Sequence, residues 1–129
     1  MKIIKIELTD KVYENNFAII DRTITKKAGI YFLFNKDMEL IYIGKAKNIR
    51  CRLVQHCSDK SIRYGEYEYP AGVTPCDKKE VAYFSCIEIE DESERDLKEL
   101  ILLNIIKTKY NFKDKYIQSS DKGEKSIEV

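Results

Sequence analysis

The distribution of hydrophobic and polar residues predicts a β-hairpin in the first half of the chain. Two apolar runs, Gly29–Phe34 and Leu40–Ile43, are rich in Ile, Tyr and Phe and flank a polar segment at residues 35–37. β-Branched and aromatic residues are typical of strands, and the Asn and Asp of the polar segment are common in turns. We therefore expect two antiparallel strands joined by a short turn.

A helix is predicted directly after the hairpin. Gly44 interrupts the second strand, and the side-chain oxygen of Asn48 can accept hydrogen bonds from the free N–H groups of a first helical turn. The helix is expected to run from about Ile49 to Cys57.

The rest of the chain predicts two further strands and one long helix. Residues 1–8 and 80–90 have strand character. Ser93, with Asp96 three residues later, is typical of a helix N-cap, and the helix is expected to continue to about Lys107. Its apolar residues surround the helix axis almost completely, so we expect it to be the most buried helix.

These elements predict a single α/β domain of the α+β kind, with a small, mainly antiparallel central sheet flanked by helices. Residues 58–79 contain both prolines and have the composition of a loop, with room for a short hairpin at residues 64–69. We divide the chain into an N-terminal extension packed on the domain (residues 1–27), the domain itself (28–112) and a polar C-terminal tail (113–129).

The composition is that of a globular protein whose charges are unevenly distributed. Hydrophobic residues make up 43% and charged residues 35% of the 129 positions, and no apolar stretch approaches the roughly 18 residues of a membrane span. The net charge of +1 argues mildly against a nucleic-acid partner. Residues 45–63, however, carry six cations and one carboxylate, and residues 88–99 carry seven carboxylates and two cations. The first segment could bind phosphates and the second could supply a metal ligand, although ordinary solvated faces have the same composition.

The cysteines do not suggest a metal site. The four cysteines contain no C-x-x-C pair, and His56 is the only histidine, so a zinc site is not expected. The N-terminus alternates with charge too early for a secretory signal, which favours a cytoplasmic protein with reduced thiols.

Two short signatures on the predicted hairpin resemble those of a known family. Gly29-Ile30-Tyr31 and Tyr42-Ile43-Gly44, about ten residues apart, match the tripeptides that name the GIY-YIG endonucleases. The stretch from Gly44 to Asn48, followed by Arg52, is similar to that of the nuclease module of the bacterial excision-repair incision subunit. The resemblance covers residues 28–111 and implies the family's fold and metal-dependent cleavage of DNA.

Glu99 is the candidate metal ligand. It shares a helical face with Leu103 and Ile106, so its carboxylate is expected to be buried and to need a cation. Spacing alone leaves two partners open, an ion pair with Arg95 or a hydrated divalent cation. The resemblance favours the cation, Mg²⁺ or Mn²⁺, because the family's metal-binding Glu lies twelve positions before the Asn of a Tyr-Asn pair, as Glu99 lies before Asn111.

Five more residues are candidates for catalysis. Arg52 and His56, four positions apart on the predicted helix, are expected to point to one spot, although a lone His is more often structural. The resemblance implies that Tyr31 is a general base assisted by Tyr42, and Lys45 resembles the family lysine that lowers the pKa of the phenol. Which of Tyr31, Tyr42 and His56 accepts the proton is left open.

The predicted function is endonucleolytic cleavage of DNA through a single divalent cation. The residues expected to contact DNA are Lys47, Asn48, Arg50, Arg63 and Asn111, although Asn111 could instead hold the scaffold. The form of the DNA (duplex, branched or single-stranded) and a protein partner for specificity are left open, and no membrane partner is expected. The rival hypothesis is a GIY-YIG fold that has lost its chemistry and serves as a nucleic-acid-binding or protein-interaction module.

Overall fold

The predicted hairpin forms half of a four-stranded antiparallel sheet. The computed structural model describes residues 3–5, 22–58, 61–64 and 66–111. Its elements, in chain order, are β1 (Ile4–Lys5), β2 (Gly29–Phe34), β3 (Leu40–Ala46), α1 (Ile49–Cys57), β4 (Ile62–Tyr64), β5 (Tyr67–Tyr69), a 3-10 turn (Lys78–Glu80), β6 (Tyr83–Glu88) and α2 (Glu92–Ile105). The main sheet has the strand order β1-β6-β2-β3, and β4 and β5 form a separate hairpin. The predicted fold class is confirmed.

Asn35 organises the turn between β2 and β3. Its side-chain oxygen accepts hydrogen bonds from the backbone N–H groups of Asp37 at 3.0 Å and Glu39 at 2.9 Å. Met38 takes the left-handed backbone conformation, with φ of 63°. The polar segment therefore supplies its own turn geometry, as Asn residues commonly do.

Helix α1 covers one face of the sheet. Asn48 caps it as predicted, because its Oδ1 accepts a hydrogen bond from the backbone N–H of Cys51 at 3.0 Å. The buried residues that form the core on this side are Ile24, Tyr31, Leu33, Ile41, Ile49, Leu53, Val54, Cys57, Tyr69, Cys76, Val81 and Phe84. This is the larger of the two apolar clusters, and it places the last turn of α1 over Tyr31 of β2.

Helix α2 packs on the opposite face. Leu102, Leu103 and Ile106 contact a cluster of buried residues that consists of Ile30, Phe32, Ile43 and Ile89. The helix begins earlier than predicted because Asp91, not Ser93, is its N-cap: the Asp91 carboxylate accepts from the backbone N–H of Glu94 at 2.8 Å. The helix ends at Ile105 rather than Lys107.

The prediction that α2 is the most buried helix is wrong. Arg95 is its only buried residue, whereas four large apolar side chains remain exposed: Leu97 (57%), Leu100 (55%), Ile101 (44%) and Ile105 (72%). A helix laid on one sheet buries only the stripe that faces the strands. No described part of the chain therefore covers the apolar residues on the outer side of α2.

Asn111 closes the outer edge of the sheet at β3. Its Oδ1 accepts from the backbone N–H of Ile43 at 2.6 Å, and its Nδ2 donates to the carbonyl of Ile43 at 2.8 Å. The Thr108 hydroxyl also donates to Oδ1, at 2.6 Å. The amide thus takes the place of a neighbouring strand at a residue that is fully buried.

The described parts of the N-terminal extension contact the domain. Ile4 and Lys5 pair with Phe84 and Tyr83 of β6, and Ile24 belongs to the core under α1. Most of the strand predicted at residues 1–8, and the tail at 113–129, lie outside the described residues. The division of the chain into three parts stays a prediction.

Two further observations concern the whole of the described chain. None of the helices in these ranges is long and apolar enough to cross a membrane. All four cysteines carry free thiols.

The role of Asn111 in holding β3 can be tested by its effect on stability. Asn111→Ala leaves the N–H and C=O groups of buried Ile43 without a partner, and we expect the free energy of unfolding to fall by about 2–4 kcal/mol. Urea denaturation measures the change. Asn104→Ala, on the exposed side of α2, is the control and should cost no more than about 0.5 kcal/mol. Equal effects of the two substitutions would contradict the role of Asn111.

Candidate active site

Tyr31 and His56 form a buried hydrogen bond between β2 and α1. The Tyr31 hydroxyl lies 2.8 Å from Nε2 of His56, and neither side chain is more than 1% exposed. Tyr42, on the neighbouring strand, lies against both: its ring centroid is 6.1 Å from that of Tyr31 and 5.4 Å from that of His56. The fold therefore brings together Tyr31, Tyr42 and His56. The sequence did not decide which of these three residues accepts the proton.

Gly44 leaves the space in which Tyr31 lies. The two residues are paired across β2 and β3. A Cβ atom on Gly44 would lie 2.4 Å from both Cζ and Oη of Tyr31, and 2.8 Å from Cε2 of Tyr42. Atoms cannot approach so closely, so any side chain at this position would displace the Tyr31 phenol from His56.

Burial keeps both members of the Tyr31–His56 pair uncharged at neutral pH. It raises the pKa of Tyr31 above its ordinary value, Tyr42 adds to this effect, and the Arg52 charge partly opposes it. Burial lowers the pKa of His56 to about 3, and the charges of Arg52 and Lys78 act in the same direction. The expectation that Lys45 lowers the pKa of the phenol is wrong, because Arg52 is the cation that acts on Tyr31 and burial outweighs it.

Arg52 connects this pair to a neighbouring loop. Its Nη1 donates to Oε1 of Gln55 at 2.8 Å and to the carbonyl of Val73 at 3.4 Å. The loop lines a pocket of about 670 Å³, bounded by residues 71–74 and 76–79. We call Tyr31, Tyr42, Arg52 and His56 the tyrosine–histidine group, and this pocket lies beside it.

Glu99 belongs to a second cluster, the carboxylate group, which consists of Lys45, Asp96 and Glu99. The Lys45 ammonium lies 2.8 Å from Oδ1 of Asp96 and 3.7 Å from Oε1 of Glu99. The Glu99 side chain is 19% exposed, and its pKa is raised by burial, with the Lys45 charge acting against that rise. The closer contact with Lys45 holds the pKa of Asp96 below its usual range.

The alternative ion pair between Glu99 and Arg95 is not formed. Arg95 is buried, and its guanidinium donates to the carbonyls of Ile89 and Glu90, both at 3.1 Å. These bonds tie the first turns of α2 to the end of β6. The cation nearest to Glu99 is therefore Lys45, which projects from β3.

Strand β3 is common to the two groups. Tyr42 packs against the cluster under α1, and Lys45, three residues later, forms ion pairs with α2. The contacts of Glu99 among the described residues go to the carboxylate group, not to the tyrosine–histidine group. β3 thus carries a residue of each group, Tyr42 and Lys45, three positions apart.

Two residues near the site were missed from the sequence. Asp96 entered the prediction as a capping residue and as one of the seven carboxylates of residues 88–99, but not as a named site residue. It lies three positions before Glu99, a spacing that places both carboxylates on adjacent parts of one helix face. Lys78, in the loop, donates to the backbone carbonyl of Gln55. No sequence pattern indicated Lys78, because its approach to α1 depends on the path of the loop.

The residues predicted to contact DNA have varied surroundings. Asn48 and Asn111 hold backbone groups of α1 and β3, Arg50 donates to the carbonyl of Ile24 at 2.8 Å, and Arg63 pairs with Glu68 at 3.1 Å on the exposed hairpin. Lys47 is exposed and borders a pocket of about 230 Å³ beside Lys45 and Asp96. Contact of these five residues with substrate stays a prediction.

The family follows from a comparison with known domains. The model of the GIY-YIG catalytic domain matches residues 27–117, which is more than half of the chain. The chain belongs to the GIY-YIG family.

Curated relatives and a solved structure agree with this assignment. The chain is 28% identical over 90 residues to UvrABC system protein C of Helicobacter pylori strain J99, and 32% identical over 88 residues to that of Mycoplasma capricolum. These matches cover 70% and 68% of this chain but 15% and 14% of the relatives, so the chain spans a small part of their length. The N-terminal endonuclease domain of UvrC from Thermotoga maritima, a point mutant bound to its catalytic divalent cation, is 20% identical with a TM-score of 0.50. That match covers 79% of this chain and 96% of the other, and it shows a shared GIY-YIG fold.

The donor set of this GIY-YIG domain is suited to a hard, hydrated cation. In the described ranges, no three His, Cys, Asp or Glu side chains are grouped so that they could share a metal ion. Zinc favours four such ligands, whereas Mg²⁺ keeps several waters and needs only one or two carboxylates. Glu99 and Asp96 fit the second kind of coordination.

The shifted pKa of His56 predicts a pH dependence that can be measured directly. His56 is the only histidine, so its ring gives a single set of NMR signals. Because burial lowers its pKa from 6.5 to about 3, those signals should not titrate between pH 7 and about pH 5. A titration midpoint near the ordinary value would contradict the buried neutral imidazole.

The same shift links His56 to stability. Between 6.5 and about 3 the unfolded chain binds a proton that the folded chain does not. The stabilisation is therefore complete above this window and is lost as the pH falls, by about 1.4 kcal/mol per pH unit. Urea unfolding should show this loss relative to His56→Gln, which does not titrate.

Proposed function

We propose that this GIY-YIG domain is an endonuclease that hydrolyses phosphodiester bonds in DNA with one divalent cation held by Glu99. The observation that carries the proposal is the buried pair of Tyr31 and His56 beside the Arg52 guanidinium. A neutral phenol, a neutral imidazole and a fixed cation are the groups needed to move a proton next to a phosphate.

His56 is the final proton acceptor in this proposal, and Tyr31 is the relay. A phenol whose pKa is raised does not ionise in advance, so it can act on water only if its own proton leaves in the same event. The Tyr31 hydroxyl lies 2.8 Å from Nε2 of His56, and the relay requires the imidazole tautomer whose Nε2 accepts from that hydroxyl. Tyr31 therefore takes the proton of the attacking water while its own proton passes to His56.

Arg52 stabilises the charge that develops on the phosphate. A guanidinium can donate two parallel hydrogen bonds to phosphate oxygens, and a fixed cation near the reacting centre lowers the barrier because it needs no reorganisation. Gln55 and the Val73 carbonyl fix one nitrogen of Arg52. An anionic phosphate beside Arg52 would also favour the imidazolium that the relay produces. Tyr42, against both rings, keeps the pair aligned.

Glu99 would hold Mg²⁺ or Mn²⁺, which supplies charge neutralisation at the reacting oxygens. The support is the half-buried carboxylate and the catalytic divalent cation named for the UvrC domain of Thermotoga maritima. Asp96 contributes by taking the closer contact with Lys45, 2.8 Å against 3.7 Å for Glu99. The Glu99 carboxylate is thereby only loosely paired and available to a cation.

DNA would approach along the basic segment and the loop. Lys47 and Arg63 are exposed, and Arg50 and Asn48 lie at the start of α1. The pocket at residues 71–74 and 76–79 is lined in part by Val73, whose carbonyl accepts from Arg52. These groups would contact phosphates, so binding should weaken as salt is raised. Asn111 acts as a positioning residue in this proposal because it fixes β3 between Tyr42 and Gly44.

The cation-binding role of Glu99 is tested by cleavage assays. Wild-type protein with Mg²⁺ or Mn²⁺ should nick supercoiled plasmid or cut one of a panel of branched and single-stranded DNAs. Glu99→Gln should reduce the rate by about 100-fold or more, because it removes a group that stabilises the transition state. Removal of the metal with a chelator should have the same effect on the wild type and no further effect on the variant.

Glu94→Gln is the matched control, since it removes an exposed carboxylate from the same helix. Cleavage at the wild-type rate by Glu99→Gln, with Glu94→Gln also active, would remove Glu99 from the reaction. Salt-sensitive DNA binding by wild type without cleavage of any substrate would support the inactive binding module instead.

The proton relay is tested by a double-mutant cycle. Tyr31→Phe and His56→Phe should each slow cleavage by about 100- to 10,000-fold, the range for general acid–base catalysis. If the two residues act as one unit, the double variant should be no slower than the single ones. Tyr83→Phe, on β6, is the control and should cleave normally. Multiplicative losses in the double variant would show that the two residues act separately.

A further inference from the structure

The outer side of α2 carries an apolar stripe that the fold does not explain. The stripe consists of Leu97, Leu100, Ile101 and Ile105, all exposed. These positions, at successive spacings of three, one and four residues, lie on one helix face, opposite Leu102, Leu103 and Ile106, which pack on the sheet. Solvent-facing helix positions are normally polar, as Asn104 on this face is, and a group of exposed large apolar side chains marks a contact surface.

The C-terminal segment has little apolar surface with which to cover the stripe. Residues 113–129 contain eight charged side chains among 17 positions.

We propose that the stripe pairs with the stripe of a second copy of this chain, with the two α2 helices antiparallel. A two-fold axis at Ile101 places Leu97 opposite Ile105 of the second copy and Ile101 opposite its own equivalent. Such an interface is isologous, the arrangement of most dimers. The proposal does not depend on nuclease activity.

The charges at the two ends of α2 favour the antiparallel arrangement. Residues 90–94 contain four carboxylates and no cation, and residues 100–111 contain two lysines and no carboxylate. Glu94 and Lys107 are both exposed. In an antiparallel pair each acidic end lies beside the basic end of the second copy, whereas a parallel pair would place like charges together.

Sedimentation equilibrium over a range of protein concentrations tests the dimer. The wild-type mass should rise from that of one chain towards twice that mass. Ile101→Glu should weaken association by about 100-fold or more, because two carboxylates would meet at the axis. It should not change the urea unfolding of the dilute monomer, where position 101 is exposed. Val73→Glu, on a loop residue that is 93% exposed, is the control and should dimerise as wild type does.

Charge exchange tests the orientation. Glu94→Lys and Lys107→Glu should each weaken self-association, because each variant places like charges at both ends of an antiparallel dimer. An equal mixture of the two variants should associate again, since every end then meets the opposite charge. In a parallel dimer neither single variant would weaken association relative to the wild type.

Three results would overturn the proposal. A wild type that stays monomeric while Ile101→Glu lowers the free energy of unfolding would show that the chain itself covers the stripe. If the wild type is monomeric and Ile101→Glu leaves the free energy of unfolding unchanged, no second copy binds the stripe. A dimer that survives Ile101→Glu would place the interface elsewhere.

Discussion

Tyr31 reaches His56 only because no side chain projects from β3 at Gly44. The phenol fills the volume that a methyl group would need, with less than 2.5 Å from the missing Cβ position to the ring. Burying a hydroxyl and an imidazole costs free energy unless their polar atoms are paired. The 2.8 Å hydrogen bond pairs the hydroxyl with Nε2 of His56, whereas Nδ1 has no partner among the described residues. The two glycine-containing signatures are therefore one structural unit: one strand supplies the ring and the other supplies the space for it.

The fold places two groups of polar side chains in environments that differ in their exposure to water. On the α1 side, burial suppresses charge, so that Tyr31 and His56 are neutral and Arg52 provides the positive field. On the α2 side, charge is retained, because Lys45, Asp96 and Glu99 keep partial contact with water. A chemistry that needs both proton transfer and cation binding requires these two environments, and β3 borders both. The net charge of +1 gives no indication of these two environments.

The local patterns predicted most of the fold because they depend on short-range physics. The turn at Asn35, the cap at Asn48 and the strand at residues 83–88 are each determined by neighbours within a few positions. Tyr31 and Tyr42 were singled out by the resemblance to the family, and the spacing of Arg52 and His56 placed both on one face of the predicted helix. Errors arose where two local solutions competed, as for the cap of α2: Asp91 and Ser93 are both good caps, and the Arg95 bonds to the end of β6 accompany the earlier start.

What could not be predicted depends on tertiary packing. The apolar residues around α2 gave no information on which side meets the sheet, so the burial of the helix was overestimated. The partner of Glu99 was uncertain for the same reason, because Lys45 lies 54 positions earlier in the chain. The pKa of Tyr31 was expected to fall because a nearby cation was visible in the sequence, whereas the depth of burial, which decides the direction, was not.

The amide of Asn111 has a consequence beyond the strength of β3. An outer strand with free N–H and C=O groups can recruit a strand from another molecule, and sheets that grow in this way aggregate. At Ile43 both of these groups are already engaged by a single side chain. Asn111 therefore prevents another strand from pairing with β3 at Ile43. It ends the sheet beside the proposed site without adding a strand that would block the approach of a ligand.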